Sequence, residues 1–252
     1  MGDKRDGIVT RDGESKGNQI GKSLEAEGVG DPDYAGRSFT AKQIAAGAHR
    51  RWVGGKWESI GRLQKDFVIA QGLTPDMNFL DVGCGSFRAG RLLAEYLDPG
   101  KYYGIDANES LINAGWEHEL TDIQRQRLPQ ANLRVTDRFD VDFGVRFDMA
   151  LAQSLFTHLS LNVIRLCLFR LSAVMRPGGV FFATYFEQPD DFPLDEIFTP
   201  PYGGRPRFHE RNIFWYHRGD IAWAATAGEW SFDYFGDWGH PRGQVMAAFR
   251  RL

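Results

Sequence analysis

Two short apolar runs, each ending in an acid, constrain this chain more than any other feature. Asn78-Phe79-Leu80 leads into Asp81-Val82-Gly83-Cys84-Gly85. Twenty-one residues after Gly85, a second run (Tyr102-Tyr103-Gly104-Ile105) ends at Asp106. Glycines at 83 and 85 let backbone approach a ligand with no Cβ in the way. An acid at the end of the second run stands where doubly wound nucleotide-binding folds set a carboxylate against ribose hydroxyls. The pair predicts a nucleoside-bearing ligand at the carboxyl ends of two parallel strands.

The loop itself narrows the ligand. A dinucleotide fingerprint reads G-x-G-x-x-G, its third glycine allowing close helix packing. Here that position is Arg88, and Gly90 comes two residues too late. Asp81, two residues before the first glycine, would repel a pyrophosphate and suits a cationic ligand. Asp106 offers the two-oxygen acceptor that a ribose diol needs.

Around this loop the pattern alternates. Apolar periodicity predicts strands over 78–83, 102–106, 132–136, 147–153 and 180–187, with helices over 87–96, 110–121 and 161–175. Such alternation implies a parallel sheet covered by helices on both faces. Thr40–Trp52 and Trp57–Gln71, separated by Gly54-Gly55, read as a helical pair ahead of the sheet. A helix over 218–227 and apolar runs at 230–235 and 245–249 close the chain.

Composition sets the outer bounds. The 252 residues suffice for one large α/β domain, and 42% hydrophobic with 25% charged residues is ordinary for a globular chain. A net charge of −3 argues against a general nucleic-acid surface. No apolar run approaches membrane-spanning length and no apolar signal core opens the chain, so a cytoplasmic location is expected. Cys84 and Cys167 give no disulfide framework, and both read as buried thiols. His118-Glu119 lacks the second histidine of a zinc helix, so no metal is expected. Residues 1–33 hold seven glycines and no aromatic, which reads as a disordered tail. Within it, residues 17–23 imitate a phosphate loop but have three residues between the glycines instead of four. Residues 188–212 are rich in Pro, Gly and acids, an unusually long connection after the fifth strand.

The D-x-G-x-G loop with Asp106 behind it resembles the class I S-adenosylmethionine methyltransferases. Phe147-Asp148-Met149-Ala150-Leu151-Ala152-Gln153-Ser154 and the Arg176-Pro177-Gly178-Gly179 turn extend that resemblance over residues 75–190. It implies an α/β fold with a doubly wound, seven-stranded, mostly parallel sheet. One domain over 34–252 is expected, with 34–72 as an N-terminal helical lid. The resemblance implies S-adenosylmethionine as cofactor, and a binding set of Asp81, Gly83, Cys84, Gly85, Arg88, Asp106, Ala107, Asp137 and Gln153. Asp81 would face the ammonium and Asp137 the adenine amine, with Asp140 and Asp142 close alternatives. Arg88 is read either as a partner of the cofactor carboxylate or as a solvated helix-face arginine.

For the reaction, a small-molecule acceptor is expected, methylated at a hydroxyl of a sugar or secondary metabolite. A hydroxyl nucleophile must lose a proton, usually to His or a carboxylate. His158 is the residue placed in that role; His209, His240 and Glu187 are the other candidates. Thr199-Pro200-Pro201-Tyr202 imitates the N-P-P-Y loop of amino-methyltransferases, but Thr lacks the planar acceptor and the loop follows the wrong strand. Nitrogen or carbon methylation, a protein or RNA acceptor, and a non-catalytic cofactor sensor stay open. An NAD-dependent oxidoreductase is opposed by Arg88. Trp223 and Trp230 read as core, while Trp215 and Trp238 stay open between core and pocket wall. Nothing in the sequence names an oligomeric state.

Overall fold

The computed structural model describes residues 34–193, 195–197 and 213–252. The readings made for the tail at 1–33, for Thr199–Tyr202 and for His209 lie outside these residues, as does most of the 188–212 connection.

The helical pair at the front is divided more finely than its spacing predicts. Thr40 caps α1 (Ala41–Ala45) through a reciprocal bond with Gln43. Gly47, at φ +71°, turns the chain into α2 (Ala48–Trp52). α3 (Trp57–Ala70) buries Ile60, Gln64, Phe67 and Val68, one stripe at helical spacing. Its Gly61 is required by contact, since a Cβ there would lie 2.6 Å from the Arg88 carbonyl oxygen.

The sheet follows. β1 (Phe79–Val82) is buried throughout and leads, through the glycine loop, to α4 (Gly90–Tyr96) and β2 (Tyr102–Asp106). α5 (Glu109–His118) ends earlier than the periodicity suggests, and a separate α6 (Asp122–Arg127) begins at a Thr121/Gln124 capping box. Then come β3 (Leu133–Val135), β4 (Phe147–Ala152) and α7 (Leu161–Ser172). β5 (Met175–Tyr185) takes the Arg176–Gly179 turn into itself. Its pairing with β4 jumps from Phe147↔Met175 to Met149↔Val180, so the extra residues form an irregularity within the strand. α8 (Arg218–Ala224), β6 (Trp230–Asp237) and β7 (Val245–Arg251) complete the chain.

The seven strands run in the order β3-β2-β1-β4-β5-β7-β6. β1 to β5 pair in parallel, and only β7 is reversed, antiparallel to both neighbours. Strand order reverses between β1 and β4, which opens a crevice at their carboxyl ends. One core layer gathers Leu80, Val82 and Ile105 with α7 and α8 residues; the other gathers Phe79, Tyr102 and Phe182 with Phe67 and Leu93. Trp230 is core, as expected, but Trp223 is 52% exposed, its ring carrying the Arg165 guanidinium at 3.9 Å. Helical spacing alone did not reveal which face of α8 it occupies.

Candidate active site

The crevice is built from the ends of β1, β2 and β4, the lid turn and the β6–β7 hairpin tip. Gly83 and Gly85 adopt φ +80° and +53°, a left-handed path closed to most side chains. Phe87, at φ +65°, follows the same path despite its ring and is fully buried. That conformation costs about 1–3 kcal/mol and persists only because packing around it holds it. The loop's amides are used inside the protein. Gly83 and Cys84 donate to the Ile105 carbonyl at 2.8 and 3.0 Å, Gly85 to Asp106 at 2.8 Å, and Phe87 to the Cys84 carbonyl at 3.0 Å. A pyrophosphate cradle needs such donors free, so the loop offers a ligand its bare Cα faces instead.

Asp106 is buried at the end of β2. Its Oδ2 accepts from Gly85 and its Oδ1 from the Asn108 amide, both at 2.8 Å. Burial raises its pKa against three backbone donors, at Asn108, Gly85 and Ala107. Ala107 thus serves through its backbone. Asp81 is buried on the same side, its Oδ2 accepting from the Tyr102 hydroxyl at 2.8 Å. Burial pushes its pKa up to about 7, with the Asp106 charge adding and Tyr102 and Arg88 opposing. Cys84 turns its sulfur inward, 3.0 Å from where a Cβ on Gly104 would lie, and burial drives its thiol pKa well up.

Arg88 is not a solvated helix-face residue. It is buried, donates from Nη1 to the Val53 and Gly55 carbonyls at 2.8 and 3.2 Å, and bonds Gln153 Oε1 through Nη2. Gln153 is the hub of a buried network. Its Oε1 also accepts from Gln64 at 3.3 Å, and its Nε2 reaches Ser154 Oγ at 2.5 Å and His240 Nε2 at 3.2 Å. Ser154, at φ +60°, donates to Gln244 Oε1 at 3.0 Å, and Thr184 donates to the same oxygen at 2.7 Å. Backbone strain of this kind gathers at functional sites.

His158 lies half-buried at the end of a short 3₁₀ turn after β4, its ring 5.6 Å from that of Tyr34. Asp137 is exposed just past β3, whose end is tied to β2 by the Thr136 amide donating to the Asp106 carbonyl at 2.9 Å. The Glu187 carboxylate is taken by the Tyr234 hydroxyl at 2.6 Å and by Arg218 at 3.4 Å.

Three contributors escaped the sequence reading. Tyr34, the first aromatic residue of the chain, lies close enough to Asp106 and Arg88 to feel their charges, and burial raises its pKa to about 12. Asn108 caps α5 through Leu111 and donates to the Tyr34 and Arg37 carbonyls at 2.6 and 2.8 Å, which fastens the segment before α1 to the end of β2. An Asn directly before Glu109 was a legible cap signal. Gln64 carried no signal beyond its place on the buried stripe of α3.

Residues 80–181 match a family described as a methyltransferase domain. That segment contains Asp81, the glycine loop, Asp106 and Gln153. Residues 80–181 are a methyltransferase domain, and the sheet that holds them has the class I, Rossmann-like methyltransferase fold. Solved structures share the fold of this chain at low identity. An S-adenosylmethionine-dependent methyltransferase from Clostridium acetobutylicum aligns at 12% identity and TM-score 0.59, over 84% of this chain and 99% of that one. An amino pentose methyltransferase of calicheamicin biosynthesis from Micromonospora echinaspora, with the cofactor bound, aligns at 19% and 0.56, over 86% and 99%. Magnesium protoporphyrin IX methyltransferase from Synechocystis, also with bound cofactor, aligns at 12% and 0.55, over 96% and 100%. S-adenosylmethionine is the cofactor of the family, and the residues present fit it. Asp106 is a buried two-oxygen acceptor at the end of β2, of the kind a ribose diol needs, and Asp81 is a buried acid whose carboxylate burial destabilises and a cationic group such as an ammonium would stabilise. Among the described residues, no group of three His, Cys, Asp or Glu could hold a metal ion, and no helix is long and apolar enough to cross a membrane.

Proposed function

We propose that this methyltransferase moves a methyl group to a hydroxyl oxygen of a polar small molecule. The observation that carries the reading is the buried network of Gln64, Gln153, Ser154, Thr184 and Gln244 beside His240, at the carboxyl ends of β4 and β5. Amides and hydroxyls in such a place suit an acceptor that exchanges neutral hydrogen bonds, and buried polar groups need partners.

When bound, the cofactor supplies a methyl group already activated by a positive sulfur. Asp106 would accept the ribose hydroxyls with the lone pairs that Gly85 and Asn108 leave, while Asp81 would face the ammonium. Gly83, Cys84, Gly85 and Ala107 would line the cofactor with backbone, and Asp137 would accept from the adenine amine. Arg88 and Gln153 bridge the lid turn to β4, which orders the cleft wall against water. Holding the nucleophile in line and excluding water are the main tasks left to the protein. His158, at the carboxyl edge of β4, would take the hydroxyl proton. Glu187 suits that role less, because its carboxylate is engaged by Tyr234 and Arg218.

The test is incubation with labelled S-adenosylmethionine and a panel of hydroxylated metabolites, read as methylated product. Asp106→Ala should weaken S-adenosylhomocysteine binding by about 30-fold, the loss of charged hydrogen bonds worth about 2 kcal/mol. Unchanged affinity would remove the ribose assignment. His158→Ala should abolish turnover and spare cofactor binding. Tight binding of the cofactor with no product from any acceptor would favour a sensor.

A further inference from the structure

The cleft holds two guanidiniums, and among the described residues neither has a carboxylate in ion-pair contact. Arg88 is 8% exposed, its Nη atoms are taken up by backbone carbonyls and an amide, and its Nε is buried with no partner. From the hairpin tip, Arg242 donates through Nη2 to the Gly54 carbonyl at 2.6 Å. The two guanidiniums converge: a Cβ placed on Gly54 would lie 3.1 Å from Nη1 of Arg242 and 3.7 Å from Nη1 of Arg88. Among the described residues, no carboxylate lies within 4.0 Å of either guanidinium. Asp81 is near enough to act on the Arg88 charge, but its Oδ2 is held by Tyr102.

His240 lies in the same place, stacked on Trp238 with ring centroids 5.5 Å apart. Burial, and then the charges of Arg242, Arg88 and Lys56, push its pKa down to about 4. The imidazole is therefore neutral; its Nδ1 accepts from the Arg242 amide at 3.3 Å and its Nε2 faces the Gln153 side-chain nitrogen at 3.2 Å. A buried guanidinium is costly unless an anion pairs with it, and a second one beside it raises that cost. The three carbonyls of the lid turn at 53–55 offset it only with partial charges.

We infer that Arg88 and Arg242, with the neutral ring of His240 as a wall, form a carboxylate-binding pocket at the hairpin end of the cleft. Paired guanidinium donors match the two oxygens of a carboxylate. The location rests on the methyltransferase reading. The hairpin tip continues β7, which pairs with β5, whereas Asp106 ends β2 on the far side of β1 and β4. That places the pocket toward the acceptor, which would then carry a carboxyl group besides its hydroxyl. The carboxylate of the cofactor's methionine end shares this chemistry and would reach Arg88 from the β1 side.

The experiment is thermal unfolding of the full chain with sodium acetate or with acetamide, at constant ionic strength, with and without saturating S-adenosylhomocysteine. Acetate should raise the wild-type Tm by about 2–4 °C as it fills the pocket, and acetamide should not. Arg242→Gln and Arg88→Gln should lose the acetate response, and Arg242→Lys should retain part of it. An acetate response that persists in the loaded protein assigns the pocket to the acceptor; one that vanishes on loading assigns it to the cofactor carboxylate. Equal responses to acetate and acetamide, or a full acetate response in Arg242→Gln, would overturn the pocket. Wild-type protein that does not bind S-adenosylhomocysteine would sink the methyltransferase reading, and the acetate response of the free protein would still judge the pocket.

Discussion

Asp81 is an acid held away from water, with one hydroxyl for company. Because its pKa is about 7 in the folded protein, against an ordinary value of 3.8, the folded state binds the extra proton between those limits. Stability contributed by Asp81 is therefore greatest below pH 4 and falls as pH rises toward 7. His240 acts oppositely. Its pKa of about 4 means that its contribution is lost as pH falls from 6.5 toward 4. Asp81→Asn, which can still accept from Tyr102, should leave a Tm that rises more steeply with pH between 4 and 7 than in the wild type. Parallel profiles for the two proteins would show that Asp81 ionises normally. The same variant should bind S-adenosylhomocysteine at least tenfold more weakly at pH 8, where the wild-type carboxylate is charged and can meet the ammonium. Calorimetry at that pH checks it.

At the level of elements, the N-terminal helical segment is secured at two places. Asn108 holds its start to β2, and Glu119, just past α5, receives His49 Nε2 at 2.5 Å and Arg50 at 2.6 and 2.8 Å. His49 and Glu119 are buried, whereas Arg50 is about half exposed. The His49-Arg50-Arg51 cluster, which composition alone would assign to a solvated face, is thus partly a latch. Glu119→Gln should cost about 1–2 kcal/mol, less than a fully buried pair because Arg50 is screened by solvent. Amide exchange should accelerate over residues 41–53 while the sheet stays protected. Uniform acceleration would mean that the contact supports the whole fold instead of the lid. α6 escaped the periodicity because the apolar pattern of α5 runs toward it, yet Thr121-x-x-Gln124 was a readable capping box.

For the whole molecule, the crevice draws on segments spread from Tyr34 to Gln244, so a ligand bound there should report on the folded chain as a unit. S-adenosylhomocysteine at 100 times its Kd should add about 2.7 kcal/mol and raise Tm by about 5–10 °C in a chain of this size. A scan that splits into two transitions, with only one shifted, would show that the lid and sheet unfold separately. The parallel sheet with helices on both faces was legible as a class, because alternating apolar runs of strand and helix length admit few packings. Individual borders were less so. The Arg176–Gly179 turn lies within β5, because pairing to β4 continues on either side of it.

The order of apolar runs, the missing third glycine and the acids at 81 and 106 by themselves determined the sheet, the loop and the class of cofactor. These are local signals, set by a period, a φ angle or a strand end, and they survive without knowledge of distant neighbours. Only the tertiary structure decided what Arg88 does. Its partners are carbonyls at 53 and 55 and an amide at 153, groups that leave no mark in the residues beside it. The same holds for His240, whose neutrality depends on Arg88, Arg242 and Lys56 brought together by folding. Electrostatics inside a cleft is a sum over residues far apart in sequence, and that sum exists only once the chain has closed around it.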